Sequence, residues 1–188
     1  MIDPQFQINH GSVEIITGPM FSGKTEELIR RLRRAVIANL EVQVFKPEID
    51  DRFSSDHVVS HLDDRAPAIS VPDAFKITTL ATAPVVGIDE AQFFDADILT
   101  VVHDLAATGT RVIVVGLDQD YQGKPFGYMP QLMAVADYVT KLQAVCVLCG
   151  RSASRTQRLR GGQGQLQIGA HGDYEARCRR CWEPAKAI

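Results

Sequence analysis

Apolar positions in this chain fall into two alternating patterns, short unbroken runs and longer stretches of helical period. The runs are VEIIT at 13–17, PVVGIDE at 84–90 and RVIVVGLD at 111–118, each β-branched and each too short for a buried helix. They predict strands covered on both faces, the second ending in two carboxylates. EVQVF at 41–45 alternates and predicts a further strand, and YVTKLQAV at 138–145 predicts a last one. Between these lie helical patterns. From Thr25 to about Asn39, Leu28, Leu32, Ala35 and Val36 recur at helical spacing, with Arg30, Arg31, Arg33 and Arg34 as a solvated face. A helix from an Asp95 N-cap through Ile98, Val101, Val102 and Leu105 to a Gly109 C-cap follows, and a short one covers 128–137. Between Lys46 and Val71, prolines and DDRFSSDHVVSHLDDR interrupt any period and predict a mobile segment. Strands alternating with helices specify an α/β fold, a mostly parallel sheet covered on both faces, with ligands at the carboxyl ends of the strands.

The 188 residues suffice for one core with a small appendage, and 45% apolar against 23% charged residues is ordinary for a globular chain. A net charge of −3 provides no global positive field, so nucleic acid is not the expected partner. The sequence shows neither a leader pattern nor a long apolar span, so a soluble cytoplasmic protein without membrane attachment is expected.

Two features carry chemistry. Gly18-Pro19-Met20-Phe21-Ser22-Gly23-Lys24-Thr25 has the GxxxxGK[ST] pattern between a predicted strand and a predicted helix, the context a phosphate-binding loop needs. Its glycines let N–H groups converge on phosphate oxygens, Lys24 reaches the outer phosphates, and Thr25 offers a hydroxyl to Mg²⁺. At the end of the 84–90 run, Asp89 suits the Mg²⁺ side and Glu90 suits proton abstraction from an attacking hydroxyl, although the two roles can be exchanged. The second feature is the cysteines. All four lie beyond residue 145, as Cys146-x-x-Cys149 and Cys178-x-x-Cys181. Two such knuckles favour a four-thiolate zinc site over disulfides or redox pairs. A saturated zinc is structural, so it tethers residues 150–177 as a loop, with a short β excursion at LQI. The domain division expected is 1–145 for nucleotide binding and 146–188 for the zinc module.

GPMFSGKT, GIDEAQFF at 87–94, LDQDYQGKPFG at 117–127 and the two cysteine pairs together resemble the thymidine kinases of the zinc-containing, phosphate-loop type, over about 12–182. That resemblance implies a P-loop NTPase core with a C-terminal zinc region carrying a lasso loop. It implies transfer of the γ-phosphate of ATP to the 5′-hydroxyl of thymidine or deoxyuridine in pyrimidine salvage, with Glu90 as general base. The Gly18 to Thr25 loop would hold the donor, Thr25 and Asp89 would hold Mg²⁺, and Asp50 (or Asp51), Arg52 and Gln92 would lie on the phosphate side. The nucleoside slot would be formed by Met20, Phe93, Leu117, Tyr121, Phe126, Thr156, Gln165, Leu166, Gln167, Ile168, Gly169 and Tyr174, with Tyr121 where the family commonly carries Phe. The lasso is expected to close over the acceptor and exclude water. A homotetramer and feedback inhibition by thymidine triphosphate are further implications. The competing readings are a phosphotransferase of other specificity and an ATP-regulated nucleic-acid-binding protein.

Overall fold

The computed structural model describes residues 11–49, 57–59, 65–160 and 173–184. Its centre is a six-stranded sheet of β1 (Ser12–Thr17), β2 (Val42–Pro47), β5 (Ile69–Val71), β6 (Val85–Ile88), β7 (Arg111–Gly116) and β8 (Tyr138–Lys141), in the order β5-β2-β6-β7-β1-β8. Every pairing in it is parallel. β3 (His57–Val59) and β4 (Arg65–Pro67) form a separate antiparallel pair. Parallel strands need crossovers, supplied by α1 (Lys24–Ile37), α2 (Phe75–Leu80), α3 (Asp97–Ala107) and α4 (Met129–Val135).

The strict two-residue period of the strands divides their side chains between two cores. Val13, Ile15, Val112 and Val114 face one, with Ile77 of α2, Ile98 and Val101 of α3 and Leu132 of α4. Ile16, Ile113 and Val115 face the other, beneath Leu28, Leu32 and Ala35 of α1. Gly87 lets α1 lie close to the sheet, since a Cβ there would stand 3.2 Å from Leu28 Cδ1.

One polar side chain interrupts β1. Glu14 is 1% exposed; its carboxylate accepts from Arg111 Nε at 2.5 Å and from Arg31 Nη1 at 2.7 Å. Arg31 also donates to Glu27 Oε1 and Thr140 Oγ1, each at 2.8 Å. The solvated arginine face expected on α1 is therefore corrected at Arg31, which turns inward because the buried carboxylate needs a counter-charge.

Other expectations also need adjustment. The unstructured reading of 46–71 is overturned at its end, where β5 adds to the sheet edge beside β2. Asp50, Asp51 and Arg52 lie outside the described residues. Helix α2 has no counterpart among the elements expected from the sequence. At α3 the cap position is Ala96, with Asp95 accepting from the Asp97 N–H at 3.1 Å, and Gly109 follows the Thr108 cap with φ 96°. The strand expected over 138–145 is two: β8 ends at Lys141, and β9 (Ala144–Val145) leaves the sheet to pair with β10 (Ser152–Ala153). That departure carries Cys146 to the other cysteines.

Residues 150–177 are not wholly loop, because β11 (Arg155–Arg158) and β12 (Tyr174–Arg177) pair as a hairpin, with Thr156 opposite Ala176 and Arg158 opposite Tyr174. A third, small core of Ala144, Cys146, Ala153, Ala176 and Cys178 supports this region, and Phe21 of the Gly18–Thr25 loop packs against it. No helix among the described residues is long and apolar enough to cross a membrane.

Candidate active site

Strand β1 stays buried to Thr17 and stops at Gly18, whose φ of 147° and whose separation of 2.5 Å between a built Cβ and the Leu142 carbonyl oxygen exclude any side chain. The chain curls through Phe21, a non-glycine residue at φ 64°, and Gly23 at φ 79°, then enters α1. The Phe21 ring packed on the third core stabilises that strained backbone. Ser22 Oγ and Lys24 Nζ both donate to the Pro19 carbonyl at 2.8 Å, cross-bracing the loop. The Met20 N–H donates to Thr156 Oγ1 at 3.0 Å, so the β11–β12 hairpin touches the loop directly.

Two strands away, β6 delivers Asp89 and Glu90. Asp89 is buried, its N–H donating to the Phe45 carbonyl at 2.9 Å and its Oδ1 accepting from the Glu90 N–H at 2.9 Å. Glu90 takes a left-handed φ of 51°, just beyond the end of β6 at Ile88. Residues 20–26, Glu90 and Leu117 line one cavity of about 40 Å³.

Gln92, expected on the phosphate side, stands behind Glu90. It is 3% exposed; its Nε2 donates to Glu90 Oε2 and its Oε1 accepts from the Leu117 N–H at 3.0 Å. Two glycines box it in. A Cβ at Gly116 would lie 2.8 Å from Gln92 Oε1 and 2.6 Å from Met129 Sδ, and one at Gly127 would lie 2.4 Å from the Gln92 carbonyl oxygen. The amide thus fixes Glu90 relative to the end of β7.

The other expected slot residues gather nearby. Phe93 and Phe126 meet edge to face, centroids 5.8 Å apart. Tyr121, Phe126, Thr156 and Tyr174 are buried, and Tyr121 Oη accepts from Gln122 Nε2 at 2.9 Å. Residues 165–169, and with them the LQI segment, lie outside the described residues. Sequence reading missed Arg158, whose guanidinium lies 3.5 Å from the Tyr121 ring centroid and whose Nε donates to Tyr174 Oη at 3.1 Å. It also missed Lys46, buried in β2, and the Lys141–Asp118 pair at 2.6 Å. Only position marks them: Lys46, Asp118 and Lys141 all stand at the carboxyl ends of strands, the edge where ligands bind.

The four cysteine sulfurs lie within 4.8 Å of one another, and Cys149 Sγ is 3.7 Å from Cys178 Sγ. Two sulfurs ~2.3 Å from a shared tetrahedral zinc stand about 3.8 Å apart, so this separation fits the ion. Both knuckles are built by backbone bonds: Gly150 N–H to the Cys146 carbonyl at 2.8 Å, with Gly150 at φ 68°, and Cys181 N–H to the Cys178 carbonyl at 3.1 Å. A backbone hydrogen bond from Cys178 pulls the Cys146 thiol down to about 6. Bonds from the Cys178 and Cys149 sulfurs hold Cys181 up to about 12. Thiols crowded into sharing protons are what a central dication replaces. The cluster can hold a metal ion.

A family model described as thymidine kinase matches residues 11–182. A thymidine kinase of Rhodothermus sp. (strain ITI 518) is 55% identical over 177 residues, 94% of this chain and 83% of that protein. Among solved structures, an X-ray structure of the Legionella pneumophila ATPase DotB superposes with a TM-score of 0.43 at 16% identity, over 66% of this chain and 34% of that one.

Proposed function

The chain belongs to the thymidine kinase family, and on that premise we propose that its Gly18–Thr25 loop presents ATP to a thymidine whose 5′-hydroxyl Glu90 activates. The activity is that of the family: an ATP-dependent phosphotransfer to thymidine, in nucleoside salvage. The observation that carries the division of labour is that the loop, Glu90 and Leu117 line a common cavity.

Loop N–H groups and Lys24 bind the β- and γ-phosphates, and the N-terminus of α1 adds favourable potential. Mg²⁺, held by Thr25 and by Asp89 directly or through water, would neutralise charge on the transferring phosphoryl group. Glu90 accepts the 5′-hydroxyl proton as the oxygen closes on phosphorus. Phosphoryl transfer asks mainly for positioning, which Gln92 supplies by holding both the base and the Leu117 backbone. Asp50 or Asp51, with Arg52, acts on the phosphate side. Thymine lies in an apolar slot of Met20, Phe93, Leu117, Tyr121, Phe126 and Tyr174, bordered by Thr156 and read at its edge by the main chain of 165–169. Zinc on Cys146, Cys149, Cys178 and Cys181 anchors the hairpin that carries this side. The two-domain division at residue 145, a cytoplasmic location, a homotetramer and feedback inhibition by thymidine triphosphate belong to the same reading.

A nucleoside panel with ATP and Mg²⁺ tests it. Phosphorylation confined to thymidine and deoxyuridine is expected; preferred phosphorylation of deoxycytidine or a purine nucleoside would overturn the slot assignment.

A further inference from the structure

Arg158 sits where two parts of the candidate slot meet. It belongs to β11, directly opposite Tyr174 of β12, and its Nε donates to Tyr174 Oη at 3.1 Å. Its guanidinium carbon is 3.5 Å from the centroid of Tyr121, which comes from the turn after β7, and 5.4 Å from that of Tyr174. Among the contacts that fasten the hairpin to the nucleotide-binding core, Thr156 meets Met20 on the loop side and Arg158 meets Tyr121 on the slot side. The two fastenings differ in chemistry. The first is one hydrogen bond to backbone; the second sets a guanidinium over an aromatic face while its Nε holds a second ring, a pairing that a lysine cannot reproduce.

From this geometry we propose that Arg158 is a positioning residue for the nucleoside side, setting the spacing and tilt of Tyr121 and Tyr174 so that a flat pyrimidine finds its slot already formed. The inference rests on the reading of these tyrosines as slot residues. Arg158 stands outside both the lining of the Glu90 cavity and the cysteine cluster, so its influence belongs in thymidine KM rather than in ATP KM, kcat or metal content. A preformed slot spares the nucleoside the cost of ordering its own walls, and loss of that order appears as weaker binding.

Steady-state kinetics of Arg158→Met, which keeps the apolar stem and loses the cation, provide the test. Thymidine KM is expected to rise on the order of tenfold, with ATP KM, kcat and zinc content within about twofold of the unaltered protein. Arg158→Lys should restore only a minor part of the loss. In a double-mutant cycle, Arg158→Met should cost little further once Tyr121→Leu has removed the ring, and should keep its cost beside Tyr121→Phe, which retains it. Unchanged thymidine KM, an equal rise in ATP KM, loss of zinc, full rescue by lysine, or additivity with Tyr121→Leu would each overturn the proposal. If the unaltered protein does not phosphorylate thymidine, the slot reading falls and this inference with it; if it does and Arg158→Met has no effect, only this inference falls.

Discussion

Replacing Gln92 by Met removes both polar ends of the side chain at nearly constant volume. The Leu117 N–H, bound at 3.0 Å, loses its acceptor, a loss of at most about 1–3 kcal/mol for a part-buried donor. Glu90 loses the amide's hydrogen bond to its carboxylate, worth about 1.5–3 kcal/mol, while its other contacts remain. Against a total stability of about 5–15 kcal/mol the variant should still fold, with its urea midpoint lowered. Turnover should suffer more than binding. A carboxylate misplaced by ~1 Å costs up to about a hundredfold, so kcat is expected to fall roughly tenfold to a hundredfold while ATP KM holds within about threefold. Gly116→Ala approaches the same amide from the other side, because its Cβ would stand 2.8 Å from Gln92 Oε1 and 2.6 Å from Met129 Sδ. It should lower kcat in the same direction without removing any functional group. If Gln92→Met loses stability but keeps kcat within about threefold, Gln92 merely fills space and Glu90 is held by something else.

Glu90→Gln should keep ATP-analogue affinity and lose about two to four orders of magnitude in kcat; near-normal turnover would remove Glu90 as the base. Glu14→Gln, at the buried cluster with Arg31 and Arg111, should cost about 3 kcal/mol and lower the thermal midpoint by about 6–12 °C, since two guanidiniums would share a neutral partner. A fall below about 2 °C would show that the cluster is already well solvated. Elemental analysis should find a single zinc per chain. Chelation should reduce thymidine turnover, and full activity of a verified zinc-free protein would exclude the anchoring role.

Much of the fold is legible in the sequence because β1, β6 and β7 are buried on both faces, which leaves an apolar signature too dense for any other placement. β5 escapes because Ile69–Val71 is three residues long and flanked by prolines, with nothing periodic to recognise. Arg31 is misplaced because helical period says which residues share a face, not which cation a neighbouring strand will draw inward. The warning is an acid, Glu14, inside an otherwise apolar strand. At the site, the phosphate loop is legible since its requirements are local, glycines and a lysine at fixed spacing. The partners of Gln92 and Arg158 are not, because Leu117 and Tyr121 reach them only through tertiary structure and neither pairing leaves a periodic trace.

The hydrogen bond from Met20 to Thr156 makes the two halves of the site partners in linkage. A loop N–H spent on the hairpin is one that a phosphate oxygen can claim only by displacing Thr156. On the proposed reading, donor occupancy and hairpin position would be mutually dependent, and whatever one did to the affinity of the other would be returned by the same factor, typically about 5–150-fold for coupled sites. Phe21 extends the dependence, because the ring that stabilises the strained loop rests on the same small core as Cys146 and Cys178. A metal ion held by these cysteines would therefore influence both substrates without contacting either.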